Sequence, residues 1–249
     1  MSLLNKEAFI CIDCETTGLE SKTDRLIEIA VCKFTFDEIL ETYETLIDPE
    51  IPIPENTTEI HHITDEMVQG KPKAGDVLRK VLELVGDYII VGHGIQLDID
   101  FISEECKRAR VPCSLHENPF FDTLRMARLY GQSPVNSLER LRQHFNIAEE
   151  GAHRAMSDVI VNIEVFKYLA EGFKAVKDLQ KRLEKPILLR AMPLGKHKGR
   201  PFSEVPLEYL MWAAGKDFDQ DLLFSIRTEL KSRKKGRKFQ QSSSPFADL

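Results

Sequence analysis

The stretch of sequence that decides the fold is Phe9-Ile10-Cys11-Ile12-Asp13-Cys14-Glu15-Thr16-Thr17-Gly18-Leu19. The apolar run that begins at Ala8 predicts a buried strand. Asp13 and Glu15 end it two positions apart, so their side chains project from the same face of a pleated strand. Carboxylates beside an apolar core repel each other and lose hydration, and they need protons, hydrogen bonds or a cation as compensation. A lone pair of this kind would more simply be solvated, so the rest of the chain must decide.

The composition is that of a soluble protein with one full core and room for a small second domain. The chain has 249 residues, of which 42% are hydrophobic and 30% are charged. No apolar run approaches about 18 residues, so we expect no membrane span. The five cysteines are odd in number and follow no signal peptide, which favours a reducing, cytoplasmic setting.

Charge is distributed unevenly along the chain. Residues 181–249 contain 15 Lys and Arg against 8 Asp and Glu, net +7, while residues 1–180 contain 19 against 32, net −13. The acidic part cannot attract a polyanion by itself. Bound cations could invert its local field, or the basic part could bring the polyanion to it.

The remaining strand and helix patterns predict an α/β domain over residues 1–180, with a mixed sheet of about five strands flanked by helices. Residues 26–34 and 43–47 complete a three-strand meander, and the prolines in residues 48–58 predict an extended loop. Periodicity, capping residues and short apolar runs place the later elements. They are helices at 74–85, 98–110, 124–130 and 138–145 and one around Val159, with strands at 88–91 and 120–121.

A second, smaller domain is predicted over residues 186–230. It begins with a turn-rich basic loop that carries Lys196, Lys198 and Arg200, and two short helices follow. From Lys231 the chain is basic and then rich in serine, and we expect an unstructured tail over residues 231–249.

Four acids recur where strands end or helices begin in the first domain. Asp13 and Glu15 end the first strand, Asp98 follows the strand at 88–91, and Asp158 begins the last helix. Neighbouring strand ends open into one crevice, so these acids could converge. Carboxylate oxygens select hard ions such as Mg²⁺ or Mn²⁺, and a pair of such ions serves phosphoryl transfer.

His153 is the candidate general base. It precedes Asp158 by five residues, which would separate the two side chains on a continuous helix, so we place it before the helix. Its ordinary pKa of about 6.5 suits proton transfer from water near neutral pH. Taken alone, it would more simply be a surface loop histidine.

Six segments together carry a resemblance to a known family. They are Asp13-x-Glu15-Thr-Thr-Gly-Leu, Ile60-His61-His62-Ile63-Thr64-Asp65-Glu66-Met67, Val91-Gly92-His93-x3-Leu97-Asp98, Asp122-Thr123-Leu124, Ser137-Leu138 and His153-Arg154-Ala155-x2-Asp158. This ordered set resembles the DEDDh (DnaQ-like) 3′-to-5′ exonucleases.

The resemblance implies a ribonuclease H-like fold and two-metal hydrolysis that releases nucleoside monophosphates from a 3′ end. Asp13, Glu15, Asp98 and Asp158 would surround the two ions, and His153 would be the base. DNA is the expected substrate, single-stranded or with a frayed end. An RNA 3′-end trimming nuclease and a non-catalytic polymerase accessory module remain the alternatives.

The same resemblance suggests which residues meet the nucleic acid. The turn Thr16-Thr17-Gly18-Leu19 would face the terminal nucleotide, and His61 and His93 are further candidates. His93 could instead serve only to support Asp98. Two positions depart from the family pattern, because Gly94 replaces the usual Asn and His62 replaces the usual Gly.

Residues 192–215 are similar to the C-terminal domain of exodeoxyribonuclease X-type enzymes. Lys196, Lys198 and Arg200 there would contact phosphates. Tyr209 and Trp212 could stack on bases, but we expect Trp212 to lie in a small core. A polymerase or a sliding clamp is a candidate partner, the clamp because Gln241-Ser242-Ser243-Ser244-Pro245-Phe246 faintly resembles clamp-binding peptides.

Overall fold

The computed structural model describes residues 3–130, 136–148 and 154–240, with side chains up to residue 235. The chain divides into two units. The first comprises residues 1–126 and 137–182, and the second comprises residues 127–136 and 183–249. The predicted boundaries at 180, 186 and 230 remain predictions. Among the described residues, none of the helices has the length and apolar character that crossing a membrane requires.

A five-stranded sheet with the order β3-β2-β1-β4-β5 forms the centre of the first unit. Its strands are β1 (Phe9–Thr16), β2 (Leu26–Phe34), β3 (Ile39–Leu46), β4 (Ile89–Gly92) and β5 (Phe120–Asp122). The first three form an antiparallel meander, and β4 and β5 run parallel to β1. The predicted mixed sheet of the ribonuclease H-like type is therefore confirmed.

Helices follow the strands in nearly the predicted order. They are α1 (Glu55–His61), α2 (Asp65–Val68), α3 (Ala74–Val85), α4 (Gln96–Ala109), α5 (Thr123–Tyr130), α6 (Leu138–His144), α7 (Ala155–Ala170), α8 (Val176–Leu183), α9 (Leu207–Ala213) and α10 (Gln220–Gln240).

Strand β1 is buried on both faces. On one face Ile10 and Ile12 belong to a core shared with α3 and α4. On the other face the ring of Phe9 lies 5.1 Å from that of Phe166 on α7. Burial is complete from Phe9 to Ile12 and becomes partial at Asp13, so the strand delivers its carboxylates where the core opens.

The second unit has its own small core. The buried side chains come from the loop before α9, from α9 and from α10, and they are Met192, Phe202, Val205, Leu210, Ala213, Leu222 and Ile226. An ion pair also joins residues far apart in sequence, because Arg128 lies 3.6 Å from the buried carboxylate of Asp221.

Two predictions of irregular structure were wrong. The loop expected over residues 48–58 ends early, because α1 begins at Glu55 directly after Pro54, a residue whose fixed φ suits the position before a helix. The tail expected from residue 231 is helical up to Gln240. Lysine and arginine are good helix formers, and Arg233 donates to Glu229 at 2.7 Å one turn earlier. Residues 241–249, which include the clamp-like peptide, lie outside the described residues.

Candidate active site

Three of the four predicted acids meet at the end of β1. Ligand oxygens of Asp13, Glu15 and Asp158 all lie within 4.8 Å of one another. Asp13 and Glu15 share a face of β1, and Asp158 lies in the first turn of α7. The buried thiol of Cys11 fastens this helix to the strand, since it donates to the Val159 carbonyl at 3.7 Å.

Asp98 approaches the same place from α4. Its carboxylate lies close enough to Cys14, the residue between the two acids of β1, for the thiol and backbone of Cys14 to lower the pKa of Asp98. Its charge also raises the pKa of Asp13. Asp98 is therefore a close neighbour of Asp13, although it is not one of the three mutually close ligands.

The acids hold their protons unusually strongly. Burial, followed by the charges of Asp98 and Asp158, raises the pKa of Asp13 well above its ordinary value. Burial and the charge of Asp158 raise the pKa of Glu15 to about 7. Burial raises the pKa of Asp98 to about 7 against the opposing effect of its hydrogen bonds. Neighbouring negative charges thus add to the effect of burial on Asp13 and Glu15.

A hard divalent cation fits this cluster. The donors are all carboxylate oxygens, the set that suits Mg²⁺ and Mn²⁺ rather than softer metals. A bound cation would also compensate the repulsion that the raised pKa values reveal. The residues present are therefore compatible with the divalent-metal requirement of the predicted chemistry.

Sequence reasoning missed a fifth acid beside the site, Glu28 on β2. Glu28 is 0% exposed and is the register partner of Glu15. Its two carboxylate oxygens share the Arg154 Nε–H, at 3.0 and 3.1 Å, and also accept hydrogen bonds from Arg154 Nη2 and from the Ala155 N–H, the latter at 3.1 Å. Glu28 therefore holds the start of α7, which carries Asp158. The signal was a glutamate between the apolar residues Ile27 and Ile29 of this strand.

The candidate base, His153, lies outside the described residues. The described backbone next to it is compatible with a position before the helix, because α7 begins at Ala155 and Arg154 is its N-cap. Its role as the general base remains a prediction.

The two other candidate histidines occupy different environments. The ring of His61 is buried, and its Nδ1 accepts the Ile63 N–H at 3.0 Å, which leaves the proton on Nε2. That Nε2 has no hydrogen-bond partner among the described residues. His93 Nδ1 lies 3.0 Å from Thr123 Oγ1, a contact that supports the start of α5.

The turn after β1 exposes one large apolar side chain. Thr17 is buried and makes reciprocal hydrogen bonds with the backbone of Arg25, at 2.9 and 3.0 Å. A Cβ on Gly18 would lie 2.3 Å from the Asp24 carboxylate, so a side chain at residue 18 would displace that carboxylate. Leu19 is 77% exposed at the tip. The turn is held at its base and presents Leu19 to solvent.

The basic candidates lie in the second unit. Lys196, Lys198 and Arg200 are all exposed on the loop before α9. Trp212 was expected in the core of this unit, and that expectation was wrong, because it is 52% exposed. The buried side chains of the unit form its core without Trp212.

A mixed five-stranded sheet that places a carboxylate cluster at the end of its central strand defines a class of metal-dependent phosphodiester hydrolases. Residues 10–166 match the family model described as Exonuclease, and the chain belongs to this family. The predicted membership among the DEDDh, DnaQ-like 3′-to-5′ exonucleases is confirmed. Residues 180–226 match a model described as a putative quorum-sensing-regulated virulence factor. The likeness of residues 192–215 to exodeoxyribonuclease X-type enzymes remains a prediction.

Curated relatives include polymerase components. DNA polymerase III subunit epsilon of Aquifex aeolicus is 34% identical over 164 residues, which are 66% of this chain and 80% of that protein. PolC-type DNA polymerase III of Clostridium perfringens is 35% identical over 173 residues, 69% of this chain but only 12% of the relative. The chain therefore spans about an eighth of the length of such PolC-type relatives.

Solved structures share the fold. An E. coli exonuclease I complex with single-stranded DNA superposes with a TM-score of 0.60 and 21% identity, covering 71% of this chain and 42% of that one. Exonuclease X in complex with 5′-overhanging duplex DNA gives a TM-score of 0.55 and 22% identity, covering 70% and 99%.

Proposed function

We propose that this protein hydrolyses DNA from the 3′ end and releases nucleoside monophosphates. The observation that carries the proposal is the meeting of Asp13, Glu15 and Asp158 within 4.8 Å at the end of β1, in a chain of the exonuclease family. The similarity to a polymerase epsilon subunit favours DNA as the substrate.

In this proposal Asp13, Glu15, Asp98 and Asp158 hold two ions, Mg²⁺ or Mn²⁺. When bound, such ions supply Lewis acidity that lowers the pKa of water and balances charge on the phosphate. His153 takes the proton from the attacking water. Glu28 keeps the start of α7 in place through Arg154, so that Asp158 stays beside Asp13.

The terminal nucleotide is proposed to contact the turn Thr16-Thr17-Gly18-Leu19, with His61 and His93 beside it. The exposure of Leu19 supports an apolar contact with a base. Burial lowers the pKa of His61, so its ring stays neutral, and its buried Nε2–H has no hydrogen-bond partner among the described residues. His61 also lies close enough to Glu28 for that carboxylate to affect its pKa.

The test is product analysis of a 5′-labelled DNA oligomer with Mg²⁺. Wild type should give a one-nucleotide ladder shrinking from the 3′ end, and Asp13→Asn should abolish it. Asp87→Asn, an exposed acid at the end of α3, is the matched control and should cleave like wild type. Mg²⁺-dependent cleavage that survives in Asp13→Asn would refute the proposal.

RNA is the alternative substrate, since the acid cluster does not itself distinguish the two sugars. An RNA oligomer of the same sequence, added in equal amount to the same reaction, decides the choice. Faster shortening of the RNA than of the DNA would assign the protein to RNA 3′-end trimming.

A polymerase is the proposed partner. The chain covers 80% of the Aquifex aeolicus epsilon subunit, a DNA polymerase III component. Tagged full-length protein should retain the replicative polymerase subunit of its host in a pull-down, and Asp13→Asn should retain it equally. The clamp contact through residues 241–246 is the finer proposal, and equal clamp binding by a chain ending at Gln240 would remove it.

Five free cysteines favour the proposed cytoplasmic setting.

A further inference from the structure

Two aromatic rings and two lysines form a row on the second unit. Tyr209 and Trp212 lie one turn apart on α9, with ring centroids separated by 5.2 Å. Lys196 Nζ lies 5.2 Å from the Tyr209 centroid, and Lys216 Nζ lies 5.1 Å from the Trp212 centroid. The resulting order is cation, ring, ring, cation, and we call these four residues the cation–aromatic row.

The basic loop before α9 packs against Tyr209 of the row. The half-buried ring of Tyr209 meets the ring of His197 edge-on, at 4.6 Å and 77°. Gly195 has φ +72°, and a Cβ there would lie 2.7 Å from the Tyr209 hydroxyl, so the basic loop approaches the ring only because residue 195 is glycine. Two backbone hydrogen bonds between Met192 and residues 199–200, at 2.8 and 2.9 Å, close the loop. The loop therefore holds the ring of Tyr209, and Trp212 lies beside that ring.

The row is also accessible and short of negative partners. Trp212 is 52% exposed, and the core of the unit is complete without it. In the part of the chain that the structure describes, the lysines of the row and the neighbouring Lys198 and Arg200 make no ion pair. A large exposed ring between unneutralised cations is the kind of surface that marks a binding site.

We propose that the cation–aromatic row binds single-stranded nucleic acid, with a base stacked on Trp212 and phosphates beside Lys196 and Lys216. Every unpaired base offers a face to an aromatic ring, and cations track the backbone whatever the sequence. A paired base is already stacked on both sides, so the row favours single strands over duplexes. Residues 181–249, with a net charge of +7, attract such a polyanion. The inference rests on the proposed function for the identity of the ligand as a nuclease substrate.

The fluorescence of Trp212 can be used to follow binding at the row, because Trp212 is the only tryptophan in the chain. The experiment uses the full-length Asp13→Asn variant with EDTA, so that no strand is cut, and an oligothymidylate of about 16 nucleotides as the probe. Tryptophan fluorescence should be quenched saturably by the single strand and much less by a blunt duplex of the same length. The affinity is measured independently from the anisotropy of a labelled oligomer.

Substitutions in the same background separate stacking from charge. Trp212→Ala should weaken binding about tenfold, while Trp212→Phe should retain it within about threefold. Met211→Ala, whose side chain is 62% exposed on the same helix, is the matched control and should bind normally. Lys196→Gln with Lys216→Gln should reduce the slope of log affinity against log salt by about 1.4.

The outcomes distinguish this inference from the exonuclease proposal, because binding is read without catalysis. Unchanged fluorescence on addition of oligomer, with Trp212→Ala binding like wild type, would overturn the row as a site even if the enzyme cuts DNA. Equal binding of duplex would overturn the stacking argument. A fluorescence change that follows protein concentration without oligomer would show that a second copy of the chain covers the row, which also refutes it. Saturable quenching supports the row even if the exonuclease test fails.

Discussion

The backbone of His62 adopts the left-handed conformation, with φ 59° and ψ 18°, where α1 ends. A Cβ in this region costs about 1 to 2 kcal/mol, and only glycine adopts it freely. The position is the one at which the exonuclease pattern has glycine and this chain has histidine. The departure noted in the sequence therefore has a conformational meaning.

We expect His62→Gly to stabilise the protein slightly. Relief of the left-handed conformation is partly offset by the greater freedom of glycine in the unfolded chain, so the gain is about 0.5 kcal/mol. Urea unfolding measures it. His116→Gly is the matched control, since His116 is exposed and has no positive φ, and it should destabilise. Destabilisation by both substitutions to the same extent would contradict the argument.

The individual acids of the site were predictable, because each follows a strand or begins a helix with a clear pattern. Glu28 was not predicted, because its partner Arg154 lies 126 positions away and only the folded sheet brings the two together. Trp212 was misjudged for a related reason. A sequence indicates that a tryptophan is apolar, but it does not indicate whether neighbouring side chains already fill the core.

At the level of elements, the start of α7 depends on Glu28. The buried carboxylate binds Arg154 and also the first free N–H of the helix, a position where negative charge is favourable. Glu28→Gln should lower kcat at least tenfold with little change in KM, because Asp158 loses its fixed position while the substrate surface remains. It should also cost about 2 kcal/mol of stability, since charge-assisted hydrogen bonds are lost.

Activity at saturating DNA and urea unfolding measure these two effects. Glu41→Gln, an exposed glutamate on the neighbouring strand β3, is the control and should change neither. Normal kcat in Glu28→Gln would show that the contact supports only the fold. A fall in stability with unchanged kcat would likewise show that the contact between Glu28 and Arg154 supports only the fold.

Elements with a strong apolar period were predicted nearly to the residue, as β2 and α3 show. Elements whose sequence is mostly polar were not predicted as well. Helix α10 continues through a basic stretch, which sequence reasoning treated as unstructured. Arg233 on this helix donates hydrogen bonds to Glu229 and to the carbonyl groups of Phe202, Ser203 and Val205, and these contacts support the helix. Such support comes from a loop about thirty positions earlier, so local composition could not predict it.

At the level of the whole molecule, the carboxylate cluster links folding to protons and metal. Glu15 has an ordinary pKa of 4.5 and Asp98 one of 3.8, and in the folded chain the pKa of each rises to about 7. Between these values the folded state binds more protons than the unfolded state, so the free energy of unfolding falls as pH rises. The contribution is fully present below about pH 4 and is lost as pH rises through about 7.

In EDTA, the contribution of this cluster should therefore make the unfolding temperature higher at about pH 5.5 than at about pH 8. Mg²⁺ should raise it strongly at pH 8, because the ion binds the folded carboxylates, and weakly at pH 5.5, where protons compete. Glu15→Gln, which cannot ionise, should shrink the difference in EDTA, and Glu41→Gln should not. Thermal unfolding followed by circular dichroism gives all eight values for wild type and Glu15→Gln. An EDTA difference that Glu15→Gln leaves unchanged would mean that the cluster does not link folding to protons, and a protein that Mg²⁺ does not stabilise at pH 8 would mean that the cluster holds no ion.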